Sequence, residues 1–206
     1  METIGVIVTK ERPKGLKRTE FKGKHCEMVG RARKGECLYV ENGDITCPLA
    51  RYNLGLERFK NLQELAKILV GWGDAIDEEK ALKYLKSLSP LPYSQKFIVY
   101  FPYPHPTLIP QILVMIGNPE QIMPLTREYT AITGERIKAF ISGIGGMCGE
   151  CTSIPLSNGK PNLSVGCGGS RPGVKLLPEE MFLAFPYDCS MRKVAENYLI
   201  RRKLYG

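Results

Sequence analysis

Short apolar runs rich in β-branched and aromatic residues recur along the chain, and each of them predicts a β-strand. The run 112–116 (ILVMI) is apolar at every position, which is typical of a strand buried inside the protein. The predicted strands are 3–9, 36–41, 97–101, 112–116, 137–141, 163–165 and 181–185.

Helical signals alternate with these strands. Apolar residues three and four positions apart predict helices at 61–70 and 77–88. Asn118 followed by Pro119 marks another helix start, and Gly134 marks its end. Further helices are predicted at 26–34, from 148 to about 154, and at 190–203. The alternation predicts an α/β or α+β fold, with a mixed sheet covered by helices.

A proline-rich segment lies near the middle of the chain. Six of the 15 prolines fall between residues 89 and 111, so this stretch is stiff and cannot continue a helix. We interpret residues 1–206 as a single compact domain, with the alternative of two lobes joined near 89–111.

Composition and charge narrow the class of protein. The chain is 43% apolar, yet no apolar run approaches the roughly 20 residues that a membrane-spanning helix needs. The start of the chain also lacks the pattern of a secretory signal, so we expect a cytoplasmic protein without membrane contact. The net charge of +8 is concentrated in 10–34 and 192–203, which is compatible with a solvated surface or with anionic partners, including nucleic acid.

The seven cysteines are the main chemical signal. In a reducing compartment they favour metal binding or redox chemistry over disulfides. Cys26 and Cys47 are separated by 21 positions and Cys148 and Cys167 by 19, and each pair brackets a predicted helix, turn and strand. We infer two pseudo-repeated halves, each supplying one cysteine at a helix start and one just after a strand.

The surroundings of these cysteines suggest what they hold. A helix start favours the thiolate, which is the form that ligates metals. Glycines flank Cys148 and Cys167, so backbone amides can approach a bound cluster or anion. Gly168, Gly169 and Arg171 are therefore predicted to bind an anion or a substrate.

The remaining thiols and histidines are open to several interpretations. Cys151, three positions after Cys148, is a further ligand, a resolving thiol or a core residue. Cys37 and Cys189 are more typical of buried structural residues. His25 is adjacent to Cys26 and is a candidate to ligate a metal or to stabilise a thiolate.

With these residues in place, the order of motifs resembles the prokaryotic family catalogued as domain of unknown function 169. The resemblance covers residues from about 25 to 171 and implies a compact α/β fold in which the four paired cysteines and Arg171 are shared polar features. Two positions depart from the family pattern, namely Ser170, where an acidic residue is common, and the glycine-poor CPLA at Cys47. The matching blocks are HCEMVGRARKGE, TCPLARYNLGL, IGNPEQIM, YTAITGE and GGMCGECTSIPLSNGKPNLSVGCGGSR.

Three functions remain open on these observations. The leading hypothesis is a metal-binding protein in which Cys26, Cys47, Cys148 and Cys167 hold a 4Fe–4S cluster, or alternatively zinc. Its role would be electron transfer, cluster or metal delivery, or cluster-dependent chemistry, with a redox protein or an anionic small molecule as partner. The second hypothesis is a thiol–disulfide redox enzyme using Cys148 and Cys151. The third is a basic nucleic-acid or regulatory binding module with structural zinc. Whether the protein is an enzyme stays open.

Overall fold

The computed structural model describes residues 1–188 together with Lys193, Val194 and Asn197. The prediction for Cys189 lies outside the described part of the chain. The predicted helix at 190–203 also lies outside it, apart from those three residues.

An antiparallel sheet forms the centre of the fold, and its strands match six of the predicted ones. Every paired neighbour in the sheet runs antiparallel. The bounds are β1 (Glu2–Thr9), β2 (Leu38–Glu41), β3 (Phe97–Pro102), β4 (Ile112–Gly117), β5 (Asn162–Ser164) and β6 (Met181–Pro186). The spatial order of these six strands is β2-β3-β1-β4-β6-β5. The predicted mixed α/β class is therefore confirmed.

Helices occupy the connections between strands. The predicted helices near 26–34, 61–70 and 77–88 are confirmed, as is the one that begins after Asn118. The cap at the start of this helix is reciprocal. The Asn118 side chain accepts from the Gln121 N–H at 2.9 Å, and the Gln121 side-chain oxygen accepts from the Asn118 N–H. The bounds are α1 (His25–Arg33), α2 (Pro48–Asn53), α3 (Leu62–Gly71), α4 (Glu78–Ser87), α5 (Pro119–Thr133), α6 (Ile154–Asn158) and α7 (Ser170–Val174).

One local prediction is wrong, and a second is right about the helix but not about its type. Residues 137–141 form no strand, because the backbone N–H and carbonyl of Phe140 are bonded by the Asn162 side chain, at 2.7 and 3.0 Å, and not by a neighbouring strand. The predicted helix at 148–154 is instead a π-helical segment, Gly146–Ser153, which continues into α6. Such widened turns are rare in proteins overall, but those that occur are frequently found at functional sites.

The sheet separates two layers of core. On one face α1, α3 and the π-helical segment pack on the central strands, with Met28, Leu65 and Met147 among the buried side chains. On the other face α5 packs on β4 and β6, where Tyr129 contacts Phe185. None of the helices in the described residues is long and apolar enough to cross a membrane.

The strand order is symmetric about the β1–β4 pair. In each half the chain runs from a central strand (β1 or β4) through a cysteine-bearing helical segment to an edge strand (β2 or β5). It then returns as a strand (β3 or β6) that lies between the central strand and the edge strand. The segment 89–111 contains β3 and leads directly into β4, and both of these strands pair with β1. The symmetry is compatible with two related halves, although their duplication is not confirmed and stays a prediction.

Candidate functional site

A cavity of about 460 Å³ opens beside the helices that cover the sheet, and the four paired cysteines line it. Cys26 comes from α1, Cys47 directly precedes α2, Cys148 belongs to the π-helical segment, and Cys167 lies just before α7. We call these residues the four-thiol site. The other lining residues are Lys24, His25, Thr46, Pro48, Leu49, Ala50, Trp72, Asp74, Gly145, Met147, Gly168, Gly169 and Ser170.

Glycines allow the elements that carry these thiols to approach one another closely. A Cβ added at Gly30 of α1 would lie 2.3 Å from the carbonyl oxygen of Gly173 in α7. A Cβ at Gly146 would lie 2.7 Å from the carbonyl carbon of Gly166. Contacts this short are forbidden for any side chain, so these glycines are explained by backbone packing. The packing brings α1, α7 and the π-helical segment around one cavity.

The thiols fall into two pairs by exposure and hydrogen bonding. The buried pair is Cys26 and Cys148, whose side chains are 8% and 6% exposed. Their Sγ atoms donate to the carbonyl oxygens of Gly169, at 3.3 Å, and Gly145, at 3.8 Å. The two thiols therefore face backbone acceptors.

The outer pair is Cys47 and Cys167, which are partly exposed. The sulfur of Cys167 accepts a hydrogen bond from the Ser170 N–H at 3.3 Å. Hydrogen bonds from the backbone N–H groups of Leu49 and Ala50 lower the pKa of Cys47, although burial raises it by more. The outer sulfurs are thus acceptors of backbone hydrogen bonds.

Burial dominates the protonation of the inner thiols. It raises the pKa of Cys26 to about 12, and the nearby Cys167 and Cys47 act in the same direction. Burial also raises the pKa of Cys148 well above its usual value, and the nearby Cys47, the next largest cause, raises this pKa further. The expectation that a helix start favours the thiolate of Cys26 is therefore wrong, because desolvation outweighs the helix terminus. The mutual effects indicate that the thiols are close in space.

Two polar side chains lie near the buried pair, and the sequence connected only one of them, His25, to a thiol. His25 bonds the Tyr100 hydroxyl at 2.7 Å and the Thr152 hydroxyl at 3.1 Å, and burial lowers the pKa of its imidazole to about 3. Both ring nitrogens are thereby engaged, which argues against His25 as a ligand. The fully buried Asn53 donates from Nδ2 to Cys148 Sγ at 3.5 Å.

Cys151 lies apart from the cavity. It is fully buried and belongs to the core cluster, but it is not among the lining residues of the cavity in the described chain. In a π-helical turn, residues three positions apart point in more different directions than in an α-helix. Cys148 therefore faces the cavity while Cys151 faces the core.

Arg171 is also engaged elsewhere. Its terminal nitrogens donate to the carbonyl oxygens of Val165, Leu177, Pro178 and Glu180 at 2.7 to 3.1 Å. The expectation that Arg171 binds an anion in the cavity is therefore corrected, because its guanidinium closes the loop around α7. Gly168 and Gly169 do line the cavity.

No three His, Cys, Asp or Glu side chains in the described part of the chain are placed to hold a single metal ion. The four sulfurs thus surround a cavity without converging on one point. Each iron of a 4Fe–4S cluster takes its own thiolate, so the ligands of a cluster do not meet at one point. A single zinc needs four ligands at about 2.3 Å from one centre.

The chain belongs to the family of domain of unknown function 169, described as uncharacterised ArCR, whose model matches residues 2–197. It is also similar to the uncharacterised protein MJ0308 of Methanocaldococcus jannaschii, with 31% identity over 180 residues, which cover 85% of this chain and 76% of that protein. No solved structure matches the chain. The resemblance predicted from the motif order is confirmed, and the family description supplies no activity.

Proposed function

We propose that the protein is an iron–sulfur protein whose four-thiol site holds a 4Fe–4S cluster. The observation that supports this most is that four cysteines from widely separated parts of the sequence line one cavity. Sequence separation makes such a meeting improbable without a shared ligand, since buried cysteines otherwise behave as small apolar residues without mutual preference.

The surroundings of the sulfurs support a cluster further. Backbone N–H groups point at both sulfurs of the outer pair, and Asn53 points at Cys148. Hydrogen bonds to sulfur stabilise the negative charge of a ligated cluster and adjust its reduction potential. Leu49 and Met147 supply apolar walls that limit access of water. When bound, the cluster would supply a one-electron redox centre.

The role that this arrangement favours is electron transfer. Four cysteine ligands would leave no iron open to a substrate, so electrons would be exchanged across the wall of the cavity with a redox partner. Trp72 and Lys24 lie on the lining, and Trp72 is about half exposed. The partner would be a redox protein or a small redox-active anion.

Anaerobic purification and reconstitution test the proposal directly. We expect iron and acid-labile sulfide in near-equal amounts, about four of each per chain, and a visible band that bleaches on reduction. Trp72 is the sole tryptophan and lines the cavity, so its fluorescence should be quenched when the cluster absorbs nearby. One zinc per chain without sulfide, or no metal at all, would contradict the proposal.

Cysteine variants test which thiols hold the cluster. Serine at any member of the four-thiol site should reduce iron and sulfide content by more than about half, because one iron loses its thiolate. Cys37→Ser is the matched control, since Cys37 packs with Tyr39 and Val99 on the opposite face of the sheet. Cys151→Ala should also retain the cluster. Equal losses in all these variants would indicate misfolding rather than loss of a ligand.

A further inference from the structure

We infer that Cys47 and Cys167 receive an incoming anionic, thiol-ligated iron–sulfur cluster first, and that Cys26 and Cys148 bind it afterwards. The inference rests on the proposed function and adds to it the chemical form of the cluster that the site accepts. It also assigns a separate task to the outer pair and to the buried pair.

Exposure sets the order of contact. Cys26 and Cys148 are less than a tenth exposed, whereas Cys47 and Cys167 are partly exposed on the same cavity. The sulfurs of the outer pair are therefore more accessible than those of the buried pair to a molecule that enters from solvent.

Hydrogen bonding separates the pairs in the same way. The sulfur of Cys167 accepts a bond from the Ser170 N–H at 3.3 Å, and the backbone N–H groups of Leu49 and Ala50 bond the sulfur of Cys47. The buried thiols donate to the carbonyls of Gly169 and Gly145, and Cys148 also accepts from Asn53 Nδ2 at 3.5 Å. Those two S–H groups must give up an existing hydrogen bond before their sulfurs can bind iron, which delays them.

The symmetry of the fold is consistent with this division. Cys47 and Cys167 each follow an edge strand, β2 and β5 respectively, while Cys26 and Cys148 each lie in a helical segment over the centre of the sheet. Each half of the sheet therefore supplies one outer and one buried sulfur.

Lys24 indicates the charge of what enters. This exposed lysine lines the same cavity as the four thiols. A 4Fe–4S cluster with thiolate ligands is an anion, so Lys24 attracts it. Asp74, which carries the opposite charge, also lines the cavity. Lys24 is the charged lining residue that lies beside the thiols.

The transfer is a ligand exchange without a change of oxidation state. At each step a bond forms between iron and a cysteine sulfur, and the bond between that iron and the donor's thiolate breaks. The proton of the cysteine thiol goes to the departing thiolate, which leaves as a free thiol. The supply must therefore be a preassembled cluster carried by small or protein-bound thiols.

Thiol accessibility in the metal-free chain gives the first test. In a background with Cys37→Ser and Cys189→Ser, a chromogenic disulfide reagent should show a fast phase of two thiols, since access limits the reaction. Cys47→Ser or Cys167→Ser should reduce this phase to one thiol. Cys26→Ser or Cys148→Ser should leave it at two. A fast phase that depends equally on all four positions would overturn the inference.

Cluster uptake gives the second test, with a synthetic 4Fe–4S cluster carrying 2-mercaptoethanol ligands as the probe. Quenching of Trp72 fluorescence should follow capture, and serine at either outer thiol should slow it about tenfold, because access governs the exchange. Serine at Cys26 or Cys148 should leave the initial rate nearly unchanged but yield a product that loses iron to a chelator. Lys24→Glu should slow capture most strongly at low salt.

The two proposals fail in different ways. If the unchanged chain takes up no cluster, the proposed function is overturned, and the order of thiol access is still measured by the first test. If the unchanged chain takes up the cluster but all four serine variants slow capture equally, the order of binding is overturned while the iron–sulfur proposal stands.

Discussion

A single buried carboxylate holds the loop that leads into the π-helical segment. Glu150 is 3% exposed, and its Oε1 accepts from the Ser142 N–H at 2.6 Å, the Ser142 hydroxyl at 2.8 Å and the Gly143 N–H at 3.2 Å. Its Oε2 accepts from the Ser164 hydroxyl at the end of β5. Because all of these partners are donors, the acceptor-only carboxylate suits the position. It anchors the segment that carries Cys148.

Glu150→Gln is expected to destabilise the protein by about 2 kcal/mol, because a buried amide replaces one acceptor oxygen with a second donor. Chemical denaturation followed by circular dichroism measures the change. Glu179→Gln is the matched control, since Glu179 is exposed. Equal midpoints for the two variants would show that the carboxylate contributes nothing beyond its amide equivalent.

At the scale of elements, the contact between α1 and α7 determines whether the four-thiol site can form. Gly30 lies against Gly173, and a Cβ added at Gly173 would lie 2.9 Å from Cys26 Sγ. The two helices thus meet backbone to backbone beside Cys26. Any side chain between them would move α7, and with it Cys167, away from Cys26.

Gly30→Ala is expected to lower the free energy of unfolding by about 2 kcal/mol through overpacking, and to reduce cluster content as α7 moves. Gly71→Ala is the control, because Gly71 is also helical but has open space around it. There the loss of backbone freedom in the unfolded chain should leave stability unchanged or raise it by up to about 1 kcal/mol. Similar destabilisation in both variants would contradict the packing argument. Denaturation and iron analysis measure the two effects.

The sequence predicts many of the helices and strands, because the local signals in the sequence agree with the observed burial. The caps at Asn118 and Gly134 and the apolar runs of β1, β3 and β4 are local features, and all are confirmed. The paired spacing of the cysteines also identified the four residues that line the cavity. Whether they hold a metal is not tested by the fold and stays a prediction.

Long-range contacts explain what the sequence could not predict. Residues 137–141 have the composition of a strand, but the Asn162 side chain, 22 positions after Phe140, takes the place of a strand neighbour. Arg171 was interpreted as an anion ligand, because nothing local shows that four carbonyls occupy it. Asn53 is far from Cys148 in sequence, and no motif connects them. A cysteine pair with a glutamate between its thiols does not reveal a π-helical turn.

At the scale of the whole molecule, β1 joins the two halves. It pairs with β3 on one side and with β4 on the other, and Ile4 is opposite Pro102 and Val114 in these two pairings. The helical segments that carry Cys26 and Cys148 pack over the same face, in one continuous core, whereas α5 packs on the opposite face. The four-thiol site takes two sulfurs from each half, so its geometry depends on this junction.

We expect the metal-free chain to unfold in one cooperative transition, because the core on the four-thiol face of the sheet draws buried side chains from both halves. Trp72 fluorescence reports on the first half and far-ultraviolet circular dichroism on the whole chain, and their midpoints in denaturant should coincide. Ile4→Ala removes a side chain that is 2% exposed at the junction, and it should lower both midpoints together, by about 3 kcal/mol in unfolding free energy. Ile109→Ala, at a position 76% exposed, is the matched control and should change neither. If the two probes separated in the Ile4 variant, the halves would be independent lobes, and the four-thiol site would have to be assembled between them after each had folded.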